Sequence, residues 1–208
     1  YLPSAHASTL SPKLTGTYEK EIQDDLVAIA NSVDSFLDIG CAEGYYTTGL
    51  ALIPSISCVI GVDINNESLK AAQNLADINE VSQKCYFTTR IEHAINRLVG
   101  RSLIMIDVDG SEIDVIRNIF MCASEELLKF SYFLVETDYH SNGNSNRNEI
   151  IDEFQIRGFE VLKENKQDPS ERISTVAQQY TQSFLDLAIY GMEGRLANQS
   201  WLIFKTTL

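Results

Sequence analysis

Phe36-Leu-Asp-Ile-Gly-Cys-Ala-Glu-Gly44 is the stretch that decides how this chain folds. A short apolar run meets two glycines four positions apart. Residues 45–52 then follow as a helical segment that Pro54 brings to an end. Strand, tight turn and helix start are the opening unit of an α/β sheet. Gly40 lets the backbone turn, and Gly44 lets the helix pack close while a ligand approaches the chain. The stretch is not the dinucleotide fingerprint, which requires glycine where Ala42 stands.

Working outward, strand-length apolar runs alternate with amphipathic helical segments, the pattern of a parallel sheet covered on both faces. A first helix is expected from Thr17, with Ile22, Leu26 and Ile29 at helical spacing. Strands are expected at residues 36–39, 57–62, 84–88, 102–108 and 132–135. Asn65 or Asn66 caps a helix reaching Ile78 that buries Leu69, Ala72, Leu75 and Ala76. Ser111 caps another that carries Ile113, Ile116 and Phe120. Residues 141–148 read as loop, 149–157 as a helix closed by Gly158, and 159–162 as a strand. A polar stretch at 163–170, a helix at 176–189 and a last strand at 201–204 complete the chain. The expected fold class is α/β: a Rossmann-like three-layer sandwich, about seven strands, mostly parallel with an antiparallel last strand. Residues 1–208 form a single domain, with 1–31 as an N-terminal helical extension.

Bulk properties narrow the function. At 208 residues the chain is of ordinary single-domain size. No apolar run approaches the roughly 20 residues that span a bilayer, and residues 1–13 lack the apolar core of a signal peptide. A cytoplasmic location without membrane insertion is expected. The net charge of −13, with sixteen scattered Lys and Arg, opposes a phosphate backbone. Nucleic acid is therefore discounted as a partner, a small molecule is the expected substrate, and a homodimer is the assembly considered. Cys41, Cys58, Cys85 and Cys122 are widely separated, with no CxxC pair. That spacing suits free thiols in a reducing compartment.

Four strands or strand-turns end in carboxylates: Asp38, Asp63, Asp107 and Glu136. In an open α/β sheet a ligand lies outside the carboxyl ends of the strands, so these acids should converge on one crevice. Asp38 and Glu43 furnish the first turn with negative oxygens, which repel phosphate and pair with an ammonium group. S-adenosylmethionine supplies an ammonium and a sulfonium. Asp63, 19 residues beyond Gly44, is placed to accept both hydroxyls of its ribose. Gly40, Cys41, Ala42, Glu43, Gly44, Tyr45 and Ile64 are expected around the same cofactor, with Thr89 and Arg90 at the adenine edge and Asp107 beyond. Tyr18, Glu19, Tyr45 and Tyr46 are either packing residues or the mouth of the site. Trp201 is expected in the core.

Asp38-x-Gly40-x-x-x-Gly44, Asp63 and Asp107 resemble the motifs of class I S-adenosylmethionine-dependent methyltransferases. That resemblance implies a seven-stranded sheet and methyl transfer. Ile106-Asp-Val-Asp-Gly-Ser-Glu-Ile-Asp-Val-Ile116 is similar to the "D-V-E-G-x-E-x-x-V-L" signature of FkbM-type methyltransferases, with Asp109 where Glu is usual. Many of that type are O-methyltransferases of polyketide, sugar or glycolipid hydroxyls. Val135-Glu136 resembles the family's "V-E-x-H", except that Asp138 stands at the histidine position and His140 follows two residues later. Gly16-Thr-Tyr-Glu19 and Glu193-Gly-Arg195 with Trp201 resemble elements of a bacterial subgroup of methyltransferases, and Arg195 suits an anionic substrate group or plain solvent.

The acidic cluster has two readings. In one, Asp107, Asp109, Glu112, Glu136, Asp138 and His140 ring the methyl-transfer point, with Asp109 or His140 as general base. A divalent cation held by the same oxygens is the alternative way to acidify an acceptor hydroxyl. In the other, Glu112 and Asp114 serve the positive end of a helix, and His140 is loop surface. Two rival functions remain beside methyl transfer: a non-catalytic binding module on the same fold, and a nicotinamide-dependent oxidoreductase. Ala42 speaks against the oxidoreductase.

Overall fold

The computed structural model describes residues 8–139, 143–168, 171–172 and 199–207. Two helices, α1 (Leu10–Thr15) and α2 (Lys20–Ala30), precede β1 (Ser35–Ile39). Then follow α3 (Tyr45–Ala51), β2 (Cys58–Val62), α4 (Asn66–Ile78), β3 (Cys85–Thr88) and α5 (Ile91–Ile95). The second half holds β4 (Ser102–Ile106), α6 (Glu112–Cys122), α7 (Glu125–Lys129), β5 (Ser131–Glu136), α8 (Arg147–Gln155), β6 (Phe159–Lys166) and β7 (Ser200–Thr206). The seven strands lie in the order β3-β2-β1-β4-β5-β7-β6, and β7 alone runs antiparallel to its neighbours. This is the expected Rossmann-like sandwich.

Every residue of β1 and β4 is buried, as two-sided helix cover requires. Alternate side chains serve two cores. Phe36, Leu103, Met105, Leu134, Trp201 and Ile203 pack under α2, α3 and α4. Leu37, Ile39, Ile104, Ile106, Phe133 and Phe204 pack under α5, α6 and α8. Trp201 is fully buried, as expected. The strand order reverses between β1 and β4, and at that switch point a crevice opens at the strands' carboxyl ends.

Several local expectations are corrected. The first helix begins at Lys20 rather than Thr17, because residues 10–15 form a helix of their own. That helix stops at Gly16, which is left-handed at φ 71°. Asn65 caps α4 through a bond from the Glu67 amide, but Ser111 makes no side-chain cap on α6. There Glu112 turns back and accepts the Gly110 N–H at 2.9 Å. The sixth strand reaches Lys166, so much of the polar stretch from 163 is strand. The outer strand tolerates charged side chains because Arg147 holds Glu164 and Asp25 holds Lys163. The helix expected at 176–189 and Arg195 lie outside the described residues. No helix among the described residues is long and apolar enough to cross a membrane. All four cysteines are free thiols.

Candidate functional site

The glycine turn after β1 is built against its neighbour strand. Asp107 donates its N–H to Ile39 C=O at 2.9 Å, and a Cβ on Gly40, at φ 92°, would lie 1.6 Å from the Asp107 carbonyl oxygen. Only glycine fits. Ala42 takes a left-handed φ of 46° and points its N–H at Asp63 Oδ2, 2.9 Å away. The Asn65 N–H holds Asp63 Oδ1 at 2.8 Å. Two backbone amides from opposite sides thus fix the Asp63 carboxylate and leave its remaining lone pairs for a ligand. Gly44 packs against Ala72 of α4, where a Cβ would come within 2.9 Å of the Ala72 side chain.

Around this turn lies a cavity of about 540 Å³, an ordinary size for a cofactor site. Its walls include Asp38, Gly40, Cys41, Ala42, Tyr45, Asp63, Ile64, Thr89, Asp107 and Asp109. Ten of the residues read from the sequence therefore share one crevice. Three do not line it. Arg90 is exposed and sits 3.7 Å from Glu92. Gly44 faces α4. Glu43 is fully buried and accepts Lys13 Nζ at 2.6 Å, so its charge is met by the chain itself. The cause is α1, whose Lys13 reaches down into the turn. Of the four strand-end acids, Asp38, Asp63 and Asp107 meet at the cavity, while Glu136 is buried outside its lining. His140 lies outside the described residues.

The N-terminal segment supplies part of the wall, with Tyr18 in the mouth position that the sequence allowed and Ser8 and Lys13 not foreseen. Ser8, Lys13 and Tyr18 line the cavity beside Tyr45 and Tyr46. The three tyrosine rings pack with centroids 5.0 to 6.0 Å apart, and Lys13 Nζ lies 4.7 Å from the Tyr18 ring. No periodicity in the sequence marks Lys13. Its partner is 30 positions away, and the pairing exists only in the folded chain.

The electrostatics of the crevice are dominated by buried acids. Asp38 is nearly inaccessible and accepts Thr47 Oγ1 at 2.7 Å. Burial pushes its carboxyl up to about 7, with the Asp107 charge adding to the rise and the Thr47 bond opposing it. Glu112 is also buried, and its acidity is weakened mainly by that burial. Its Oε2 accepts Asn146 Nδ2 at 2.7 Å, and Asn146 Oδ1 accepts the Asp138 N–H at 2.8 Å. Glu112 and Asn146 therefore tie the loop after β4 to the loop after β5. This is a structural task beyond the helix-end role weighed for Glu112.

Replacing Asn146 by Ala strips one bond from a buried carboxylate and frees the Asp138 amide. The expected loss is about 2–3 kcal/mol of unfolding free energy, read from urea denaturation. A change below about 0.5 kcal/mol, as at ordinary surface sites, would refute the tie.

Among the described residues, no group of three or more His, Cys, Asp or Glu side chains is placed to hold a metal ion. The divalent cation considered from the sequence thus has no ligand set there.

Residues 30–97 match the family model described as "Methyltransferase domain". No curated protein matches the chain in sequence. Among solved structures it is similar to the B. subtilis M1A22 tRNA methyltransferase TrmK, with a TM-score of 0.60 and 10% identity. The alignment covers 90% of this chain and 65% of that one. It is also similar to the magnesium protoporphyrin IX methyltransferase ChlM from Synechocystis PCC 6803 with bound SAH: TM-score 0.57, 11% identity, 95% and 85% covered. A StiE O-MT structure gives TM-score 0.58 at 11% identity, with 90% and 74% covered. The chain thus spans 65% of the length of the first of these. The likeness to the solved structures is one of fold, and the family match spans the half of the crevice formed by β1, β2 and β3. Residues 30–97 are thus similar to part of a methyltransferase domain, on a Rossmann-like sheet.

Proposed function

We propose that this chain is an S-adenosylmethionine-dependent methyltransferase that methylates a hydroxyl of a small molecule, sugar or glycolipid, in the manner of FkbM-type enzymes. One observation carries the reading: Asp38, Asp63 and Asp107, from three neighbouring strands, wall a single cavity around a turn that only glycine can form. Such a surface favours a cationic sulfur nucleoside and repels pyrophosphate.

In this reading Asp63, held rigid by two amides, accepts the ribose hydroxyls. Ile64, 93% exposed, and Thr89 border the adenine. Asp38 faces the ammonium group. The bound cofactor supplies an activated methyl group, so what is asked of the protein is alignment and proton removal. Asp107 and Asp109 stand at the end of the cavity beyond β4. Asp109 takes a left-handed φ of 49° there and lines the cavity. The small-molecule acceptor rests on charge. The cavity's only cationic side chain among the described residues is Lys13, already paired with Glu43, and the net charge is −13. A reducing, cytoplasmic setting belongs to the same proposal.

Calorimetric titration with S-adenosylhomocysteine should give saturable binding in the micromolar range. Asp63→Ala should weaken it at least about tenfold, since hydrogen bonds to a charged acceptor are worth roughly 1.5–3 kcal/mol. Absence of binding at high micromolar ligand would sink the cofactor assignment, and an Asp63→Ala variant matching the parent would remove Asp63 from the ribose. Labelled methyl transfer to hydroxylated metabolites separates an enzyme from a non-catalytic module. Transfer to RNA instead would overturn the small-molecule acceptor.

A further inference from the structure

Helix α1 is oriented against the ordinary rule of burial. It turns Leu14, 62% exposed, to solvent and carries Lys13, 8% exposed, into the interior. Only Pro12 and Lys13 of this short helix are buried, so a lysine stands where an apolar side chain would anchor α1 at least as well. Lys13 Nζ bonds Glu43 Oε1 at 2.6 Å and lies 4.7 Å from the Tyr18 ring and 5.5 Å from the Tyr45 ring. An ammonium carries three N–H donors, and Glu43 is the one oxygen acceptor that Lys13 has among the described residues. Lys13, Tyr18 and Tyr45 all line the cavity. A buried cation short of acceptors at a cavity wall is a place for an anion.

The other ion pair buried on both sides, Arg172 with Glu21, differs in both respects. Its guanidinium meets both carboxylate oxygens, with Nε 2.9 Å from Oε2, and neither residue lines the cavity. That pair is complete within the chain, and the Lys13 pair is not. The acids beside Lys13 decide which anion fits. Asp38 lies in β1 and Glu43 in the turn that follows, so Asp38 and the lysine belong to one end of the site. An isolated anion would meet the charges of Asp38 and Glu43 there. An ammonium and a carboxylate carried on one carbon would serve Asp38 and Lys13 together and bring in no net charge.

We propose that Lys13 holds the carboxylate of the ligand's α-amino-acid end while keeping its bond to Glu43, and that this contact latches α1 over the cavity. The inference rests on the cofactor reading above, in which Asp38 meets the neighbouring ammonium. Gly16, at φ 71° with open space where a Cβ would stand, joins α1 to the chain leading into α2 and serves as the hinge. A nucleoside without the amino-acid end leaves the strap unlatched.

The test is calorimetric titration with S-adenosylhomocysteine and with its decarboxylated analogue, which keeps the nucleoside and the amine. The parent should prefer S-adenosylhomocysteine by about tenfold or more, the scale of a hydrogen bond between charged groups. The double variant Lys13→Met with Glu43→Gln removes both charges and strands neither, so there the preference should fall below about twofold while the analogue still binds. Hydrogen exchange in α1 should slow with S-adenosylhomocysteine and not with the analogue. Equal affinities in the parent, a measurement needing no variant, overturn the inference. So does a preference that survives in the double variant, or exchange in α1 that both ligands slow alike. Loss of both ligands in the variant alone would assign the pair to the fold instead of the ligand and overturn it too. If neither ligand binds the parent, the cofactor reading falls and this inference with it.

Discussion

Replacing Gly40 by Ala is expected to cost at least about 4 kcal/mol of stability, among the larger losses single substitutions produce. The added Cβ would stand 1.6 Å from the Asp107 carbonyl oxygen and 3.3 Å from a Val108 methyl, at a φ of 92°. Neither obstacle is a flexible side-chain tip. Relief requires β1 and β4 to separate where the Asp107 N–H bonds to Ile39, at the centre of the sheet. With a domain's total stability at roughly 5–15 kcal/mol, the variant should be largely unfolded or recovered in aggregates. Gly49→Ala is the control. Gly49 lies inside α3 with nothing within 4 Å of a Cβ, and Ala there should raise stability by about 0.5–1 kcal/mol. Urea denaturation of the two variants decides the matter. A Gly40→Ala protein within about 1 kcal/mol of the parent would show that the turn is not the rigid element described.

Asp38→Asn should stabilise the ligand-free protein while weakening cofactor binding. In the folded chain the Asp38 carboxyl is raised from 3.8 to about 7, so folding opposes its ionisation. The parent's stability falls as pH rises from about 4 to about 7, because the unfolded chain has already lost a proton that the folded one keeps. Above pH 7 the full penalty applies, on the order of 4 kcal/mol for a group this buried. The amide removes that penalty and can still accept the Thr47 hydroxyl. The thermal midpoint of Asp38→Asn should therefore exceed the parent's by several degrees at pH 8, and the gap should close toward pH 4. Cofactor affinity runs the opposite way. An ionised Asp38 is what attracts an ammonium group, so the parent's affinity should drop as pH falls below 7. The variant should bind at least tenfold more weakly at pH 8 and lose most of that pH dependence. A variant no more stable than the parent at pH 8 would mean that Asp38 is not held in an unfavourable charged state. The pattern is the expected one for a residue kept for binding at the expense of the fold.

The fold was legible because its signals are local. Phe36 to Gly44 states strand, turn and helix start within nine residues. The buried strands announce themselves as apolar runs, since two-sided helix cover leaves polar side chains a place mainly near the strand ends. Cavity-lining residues that sit on those same turns, such as Asp38, Ala42, Asp63 and Asp107, follow once the strand ends are known. Residues whose position depends on distant partners were not legible. Lys13 and Glu43 are 30 positions apart, Glu112 and Asn146 are 34, and Arg172 and Glu21 are 151. Nothing in the spacing of either member marks the other. The error over Glu43 has the same origin: a carboxylate in a glycine turn looks available until a lysine from a separate helix is found against it.

By itself the sequence determined that this chain forms a parallel sheet whose acids gather at the carboxyl ends of its strands. Period and composition dictate which faces are buried, and glycine alone satisfies the turn. Only the tertiary structure decided which of those acids remain open to a ligand and which are spent on internal partners. Burial, hydrogen bonding and charge pairing are set by contacts between segments far apart in the chain.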